Sequence, residues 1–205
     1  MLKLLIILLQ SLLFAVSAHT AARENLGEGD LKALYDQMEP SIGIIFEFKQ
    51  VKNISALSRP LVSKGTVHVV DSDTVNWHQT LPYSMMMSFT PKGMLECLHD
   101  CKGKTATGNS NPFAVTLSKA FIGLLTGAPE QIEVFFTINI EKNEQGSWQL
   151  SMAPVDPMLS GIIKEITLQG GQYLREVQIF EVSGDNTLME FSNHHKSLNA
   201  EPGTN

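Results

Sequence analysis

The chain has 205 residues, 43% of them apolar and only 18% charged, with a formal net charge of −6. That apolar share excludes a disordered chain, and the acidic balance leaves no basic footprint, so no nucleic-acid partner is expected. Two cysteines cannot build the disulfide framework of a small secreted scaffold, and the length suits one domain with a substantial core.

Part of the apolar excess sits at the front. Met1-Leu2-Lys3 gives a short positive start, and Leu4 to Val16 is apolar except for Gln10 and Ser11. Val16-Ser17-Ala18 and Thr20-Ala21-Ala22 supply two small-residue cleavage sites, so residues 1–22 read as a signal peptide cut at Ala18 or Ala22. The run is shorter than the roughly 20 residues of a bilayer span. An exported protein with no membrane span of its own is the expectation, with a domain over residues 23–193 and a polar tail from 194 to 205.

Asp30 is placed to cap a short helix from Leu31 to Met38, stopped by Pro40. From Ser41 the dominant period is two. Ile44, Phe46 and Phe48 share one face of a strand, and Gly65 to Val70 and Thr74 to Thr80 form a hairpin around Asp71-Ser72-Asp73. Tyr83 to Thr90 and Met94 to Cys97 are further strands, and the polar stretch from Leu98 to Asn111 reads as a surface loop. Asn111-Pro112 opens a helix whose Phe113, Leu117, Ala120, Phe121 and Leu124 share a face, with Gly127 as its stop. Strands resume at Val134 to Glu141 and Trp148 to Ala153. One helical turn follows within Pro154 to Ser160, then strands at Ile162 to Leu168, Tyr173 to Ser183 and Thr187 to Asn193. So many short antiparallel strands with two helices predict a strongly curled sheet, a partly open barrel whose concave face is covered by the long apolar helix.

Catalytic signatures are not evident: no G-x-S-x-G, H-E-x-x-H, P-loop or G-x-G-x-x-G occurs. An enzyme is not expected, nor a cofactor or metal; the weak enzymatic alternative would use His78 beside Asp71 or Asp73. His68 and His78 lie on consecutive strands, the nearest thing to a histidine pair. Cys97 and Cys101, four apart in an exported chain, suit a local disulfide, with free thiols or part of a metal site as alternatives. Met85, Met86 and Met87 are consecutive, with Met94 after the next turn and Met152, Met158 and Met189 beside later strands. Thioethers are over-used where a surface accepts apolar partners of varied shape, so a lipid-sized hollow competes here with ordinary core filling.

The sequence from about Leu31 to Asn193 resembles the LolA family of periplasmic lipoprotein carriers. The likeness rests on Phe46-Glu47-Phe48-Lys49-Gln50; on Leu61, Ser63 and Gly65; on Val75-Asn76-Trp77-His78-Gln79-Thr80-Leu81-Pro82; and on Phe121 to Gly127 followed by Phe136, with Trp148-Gln149-Leu150 and Pro154. The resemblance implies an incomplete antiparallel β-barrel with a helical lid over an apolar cavity. It implies a periplasmic carrier that takes a lipoprotein's acyl chains from an inner-membrane exporter to an outer-membrane acceptor, working as a monomer. The residues expected to form wall and lid are Phe46, Phe48, Trp77, Met85, Met87, Phe89, Phe121, Leu124, Leu125, Phe136 and Ile138. One departure stands out: the arginine that latches the lid in better-known carriers falls on Asp71-Ser72, and a carboxylate cannot donate to lid carbonyls. That departure leaves room for a relative carrying another lipid with a different exporter. A filled barrel that binds a partner at its edge is the alternative of another class.

Overall fold

Period-two patterning becomes strand almost wherever it occurs. The structure, a computed structural model, describes residues 28–97, 106–109, 111–142 and 147–197. The expected signal peptide and residue Cys101 lie outside these residues, as does the turn at 143–146. Helix α1 (Glu28–Tyr35) leads into β1 (Ile44–Asn53), β2 (Leu61–Val69), β3 (Val75–Leu81), β4 (Met85–Thr90), β5 (Gly93–Cys97) and β6 (Ala106–Asn109). Helices α2 (Pro112–Thr126) and α3 (Pro129–Glu133) then cross to β7 (Phe136–Lys142) and β8 (Trp148–Pro154). The one-turn α4 (Pro157–Ser160), β9 (Ile163–Gly170), β10 (Leu174–Glu181) and β11 (Asn186–Lys196) complete the described chain.

All eleven described strands form one antiparallel sheet in the order β6-β5-β4-β3-β2-β1-β11-β10-β9-β8-β7. Every neighbour is a chain neighbour except β1 and β11, whose register pairs Phe48 with Phe191 and Lys49 with Glu190. The sheet does not close, because β6 and β7 are its two ends. The expected half-open antiparallel barrel is therefore the observed architecture, and α2 and α3 are the segment that joins its two free edges. One face of the sheet is apolar: Phe46, Phe48, Val67, Val69, Val75, Trp77, Leu150, Met152, Ile166, Leu168 and Phe191 are all buried on it. Residues between them, such as Glu47, Lys49, Lys64 and Gln149, point the other way into solvent.

Several boundaries differ from the sequence reading. Helix α1 starts at Glu28, so Asp30 lies within it, and Asp36 to Met38 continue it only as a hydrogen-bonded turn. The expected loop from Leu98 to Asn111 contains the edge strand β6, whose Ala106 to Asn109 needs only β5 as partner. Helix α3 was not foreseen; Pro129 at its first position fixes a helical φ and delays β7 to Phe136. Strand β11 runs on through His194 to Lys196, because Ile44 and Ile45 offer it partners at Lys196 and His195.

Candidate functional site

Helix α2 begins as its sequence dictates. The Asn111 side chain accepts from the Ala114 amide, Pro112 occupies the first turn, and Gly127 ends the helix with φ 73°. The face it buries is not only the expected stripe. Ala114, Thr116, Ser118, Ala120, Ile122, Gly123 and Leu125 are its buried residues, while Phe113, Phe121 and Leu124 are partly buried against the core. The reason is that α2 is packed on two sides. Ser118 donates to the Gly93 carbonyl of β5 at 3.0 Å, and a Cβ on Gly123 would stand 3.0 Å from Gln131 on α3. Small residues mark these close approaches, which apolar periodicity alone does not register.

The expected wall and lid residues all lie on the inner face or on α2 above it. Four aromatic rings form a continuous line: Phe48 and Trp77 have centroids 3.8 Å apart, Trp77 and Phe121 5.9 Å, and Phe121 and Phe89 4.5 Å. Phe121 is thus the α2 side chain seated between two strands' aromatics. Met85 and Met87 flank this line on β4, opposite Gln79 and Trp77 across the strand pair. Phe46, Leu124 and Leu125 gather at the other end of α2, where they border a crevice with Met38, Tyr173 and His194. Phe136 and Ile138 sit on β7, the first buried and the second partly buried. The methionines do not form one cluster: Met152 and Met189 are core residues of β8 and β11, and Met158 is exposed.

The crevice has a volume of about 10 Å³, room for no more than a water molecule. The larger hollow, about 1200 Å³, lies on the opposite, polar face, lined among others by Glu47, Lys49, Lys64, Gln169, Glu176 and Glu190. It has the wrong chemistry for an acyl chain. The apolar face is shielded rather than open, so an apolar ligand reaches it only if α2 moves.

Two residues outside the expected set stand at that end of the helix. The hydroxyl of the part-buried Tyr35 donates to the Leu124 carbonyl at 3.2 Å, and desolvation raises its pKa well above that of a free phenol. His194 stacks between Tyr173, at 4.6 Å and 10°, and Phe46, at 5.1 Å and 27°. Its pKa is lowered, first by burial and then by the nearby charges of Arg175 and His195, against a backbone bond with Leu174. Their only sequence signal is an aromatic at the end of a short helix and a histidine three residues past the buried Phe191.

Asp71 accepts from the Asp73 amide at 2.8 Å within its own hairpin turn. His78 is half-buried, 3.4 Å from the Ser84 hydroxyl, and the β2–β3 register sets it opposite Thr66 rather than His68. Among the described residues no group of three or more His, Cys, Asp and Glu is placed to hold a metal ion. Among them, too, no helix is long and apolar enough to cross a membrane.

The family model described as outer membrane lipoprotein carrier protein LolA matches residues 43–202. No curated protein matches the chain. Similar solved structures include a LolA superfamily protein from Nitrosomonas europaea, at 8% identity over 83% of this chain and 94% of that one, with a TM-score of 0.45. Another is a putative outer membrane lipoprotein-sorting protein domain from Vibrio parahaemolyticus, at 11% identity over 86% and 94%, with a TM-score of 0.43. A third is the Pseudomonas aeruginosa MucA/MucB complex, at 11% identity over 85% and 59%, with a TM-score of 0.44.

Proposed function

Because the chain belongs to the LolA family of outer membrane lipoprotein carrier proteins, we propose that it is a periplasmic carrier that shields acyl chains between its sheet and α2. Phe46, Phe48, Trp77, Met85, Met87, Phe89, Phe136 and Ile138 form the wall; Phe121, Leu124 and Leu125 form the lid. The observation that carries this reading is the line of rings from Phe48 to Phe89 broken into by one side chain of the lid, Phe121. Withdrawing α2 exposes a ready apolar surface. Burial of an acyl chain there contributes roughly 0.8 kcal/mol per methylene, enough for a long chain to offset the lost lid contacts. No catalytic group is needed, only displacement and return.

In this reading residues 1–22 direct export and are removed, and an inner-membrane exporter and an outer-membrane acceptor load and unload the carrier as a monomer. Cys97 and Cys101 close a disulfide at the end of β5. A second reading, a carrier for a different lipid or lipid-linked product with its own exporter, is favoured by Asp71, which is engaged in its own turn rather than with the lid.

The test is native mass spectrometry of protein recovered from the periplasm, with organic extraction of what co-purifies, beside titration with a fluorescent fatty-acid probe. Bound lipid is expected, with probe binding lost in Phe121→Asp. Absence of both lipid and probe binding would sink the proposal and leave the filled barrel in its place.

A further inference from the structure

The antiparallel meander brings the end of β1, the start of β2, the end of β3 and the start of β4 to one end of the sheet. Large apolar side chains stand exposed there: Leu57 in the β1–β2 connection, Leu61 and Val62 at the start of β2, and Leu81 (53% exposed) and Tyr83 (60%) at the β3–β4 turn. They are neighbours in the register. Val62 pairs with Val51, and Lys64 pairs with Leu81 on the same side of the sheet. The turn that carries Tyr83 is fixed, since the Gln79 side chain donates to the Tyr83 carbonyl at 3.2 Å.

The charge at this corner opposes that of the chain. Residues 50–66 carry Lys52, Arg59 and Lys64 with no acid, and residues 78–86 carry no acid, in a protein of net charge −6. Of the carboxylates near this corner, Glu181 is 2.7 Å from Lys52, Asp185 accepts from the Ser55 amide and hydroxyl, and Glu190 is 2.8 Å from Lys49, while Glu47 lines the polar hollow with Lys64 and Leu81. Arg59 and Lys64 remain exposed. Apolar residues are also exposed at the same end of β7 to β10, but those are interspersed with Glu130, Asp156 and Glu165.

We propose that the Leu57–Leu61–Val62–Leu81–Tyr83 corner, with Arg59 and Lys64, docks onto the surface of an anionic phospholipid bilayer. Short apolar side chains on a turn and a strand start enter the headgroup boundary, the tyrosine sits where its ring is apolar and its hydroxyl wet, and the two cations meet phosphates. The remaining acidic surface is repelled by the same bilayer, so the contact is weak, salt-sensitive and short-lived. Docking does not depend on what the inner face binds; it supplies proximity to a membrane whether or not the cargo is acyl.

The test is flotation of the protein recovered from the periplasm with vesicles of phosphatidylglycerol and phosphatidylethanolamine, and with phosphatidylcholine vesicles, at low and high salt. The variants are Leu81→Ser/Tyr83→Ser and Arg59→Gln/Lys64→Gln, each checked by mass spectrometry to have the parent's N-terminus. Their sites are exposed, so thermal unfolding should match the parent. The parent is expected to float with anionic vesicles at low salt and less at high salt. Removing the two cations should weaken this by about fivefold per residue, and the apolar double variant by more than about tenfold, with fatty-acid probe binding unchanged in both. No flotation of the parent with anionic vesicles, or equal flotation of parent and both variants, overturns the assignment and points the corner to a protein partner.

Discussion

The Tyr35 hydroxyl donates to the carbonyl of Leu124 across 3.2 Å, joining the first helix to the last turn of the lid. That carbonyl is one of the four at a helix end with no partner inside the helix. Others nearby are served locally: Gly123 accepts from the Gly127 and Ala128 amides, and Ile122 from the Thr126 hydroxyl. The C-terminal end of α2 is therefore tied by a part-buried phenol, not by the arginine that the family resemblance would put at Asp71. Replacing it by Tyr35→Phe keeps the ring and strands the carbonyl. A loss of about 1–2 kcal/mol is expected, with faster hydrogen exchange in α2 and faster probe uptake. Unchanged exchange in α2 would show that the bond is not a tie.

The same ring depends on Gly127. This residue has φ 73°, and a Cβ on it would stand 2.8 Å from Cδ1 of Tyr35. Gly127→Ala should cost about 1 kcal/mol for the left-handed backbone alone, and more once the ring is pushed aside. Because both substitutions act on one ring, the double variant with Tyr35→Phe should lose less than the sum of the singles. Denaturant unfolding of the four proteins measures this, and strict additivity would separate the two residues.

Ser118 is the second tie. Its fully buried hydroxyl donates to the Gly93 carbonyl of β5, about 9 Å along the helix from Leu124. Ser118→Ala should cost about 1–2 kcal/mol and, unlike Gly127→Ala, should add to Tyr35→Phe. Hydrogen exchange should also loosen first in the N-terminal half of α2.

His194 makes stability depend on pH. Its pKa is lowered in the folded protein, so the fold prefers the neutral ring. An unfolded imidazole titrates near pH 6.5, so the stabilising contribution is full above about that pH and is lost as pH falls through the depressed folded value. His68, also lowered by burial, acts in the same direction. Unfolding free energy should fall between pH 7.5 and 5, and less steeply in His194→Phe, which keeps a ring between Phe46 and Tyr173. Parallel slopes would remove His194 from the account.

The strands and the long helix were legible because each writes its period into adjacent residues. Phe46 and Phe48 alternate with Glu47 and Lys49, and Asn111-Pro112 and Gly127 punctuate α2 at both ends. The inner-face positions of the strands followed from the same alternation. The ties did not, because Tyr35 and Leu124 are 89 residues apart and Ser118 and Gly93 are 25 apart. Neither a lone tyrosine nor a serine on an apolar helix announces its partner. Edge strand β6 was missed for a related reason: its polar residues carry no alternation, and β5 alone holds it. His194 looked like tail because its burial comes from Phe46 and Tyr173, both distant in sequence.

The sheet's two free edges, β6 and β7, are joined through α2 and α3, so the lid is tethered at both ends. It behaves as a built-in competitor for the surface it covers, present at an effective concentration set by its short connections and independent of how dilute the protein is. In the proposed carrier, cargo competes with this resident occupant, and its apparent affinity is reduced by the fraction of time the helix is closed. An unloaded carrier of that kind re-covers itself by a unimolecular step, which keeps empty copies from finding one another's exposed faces.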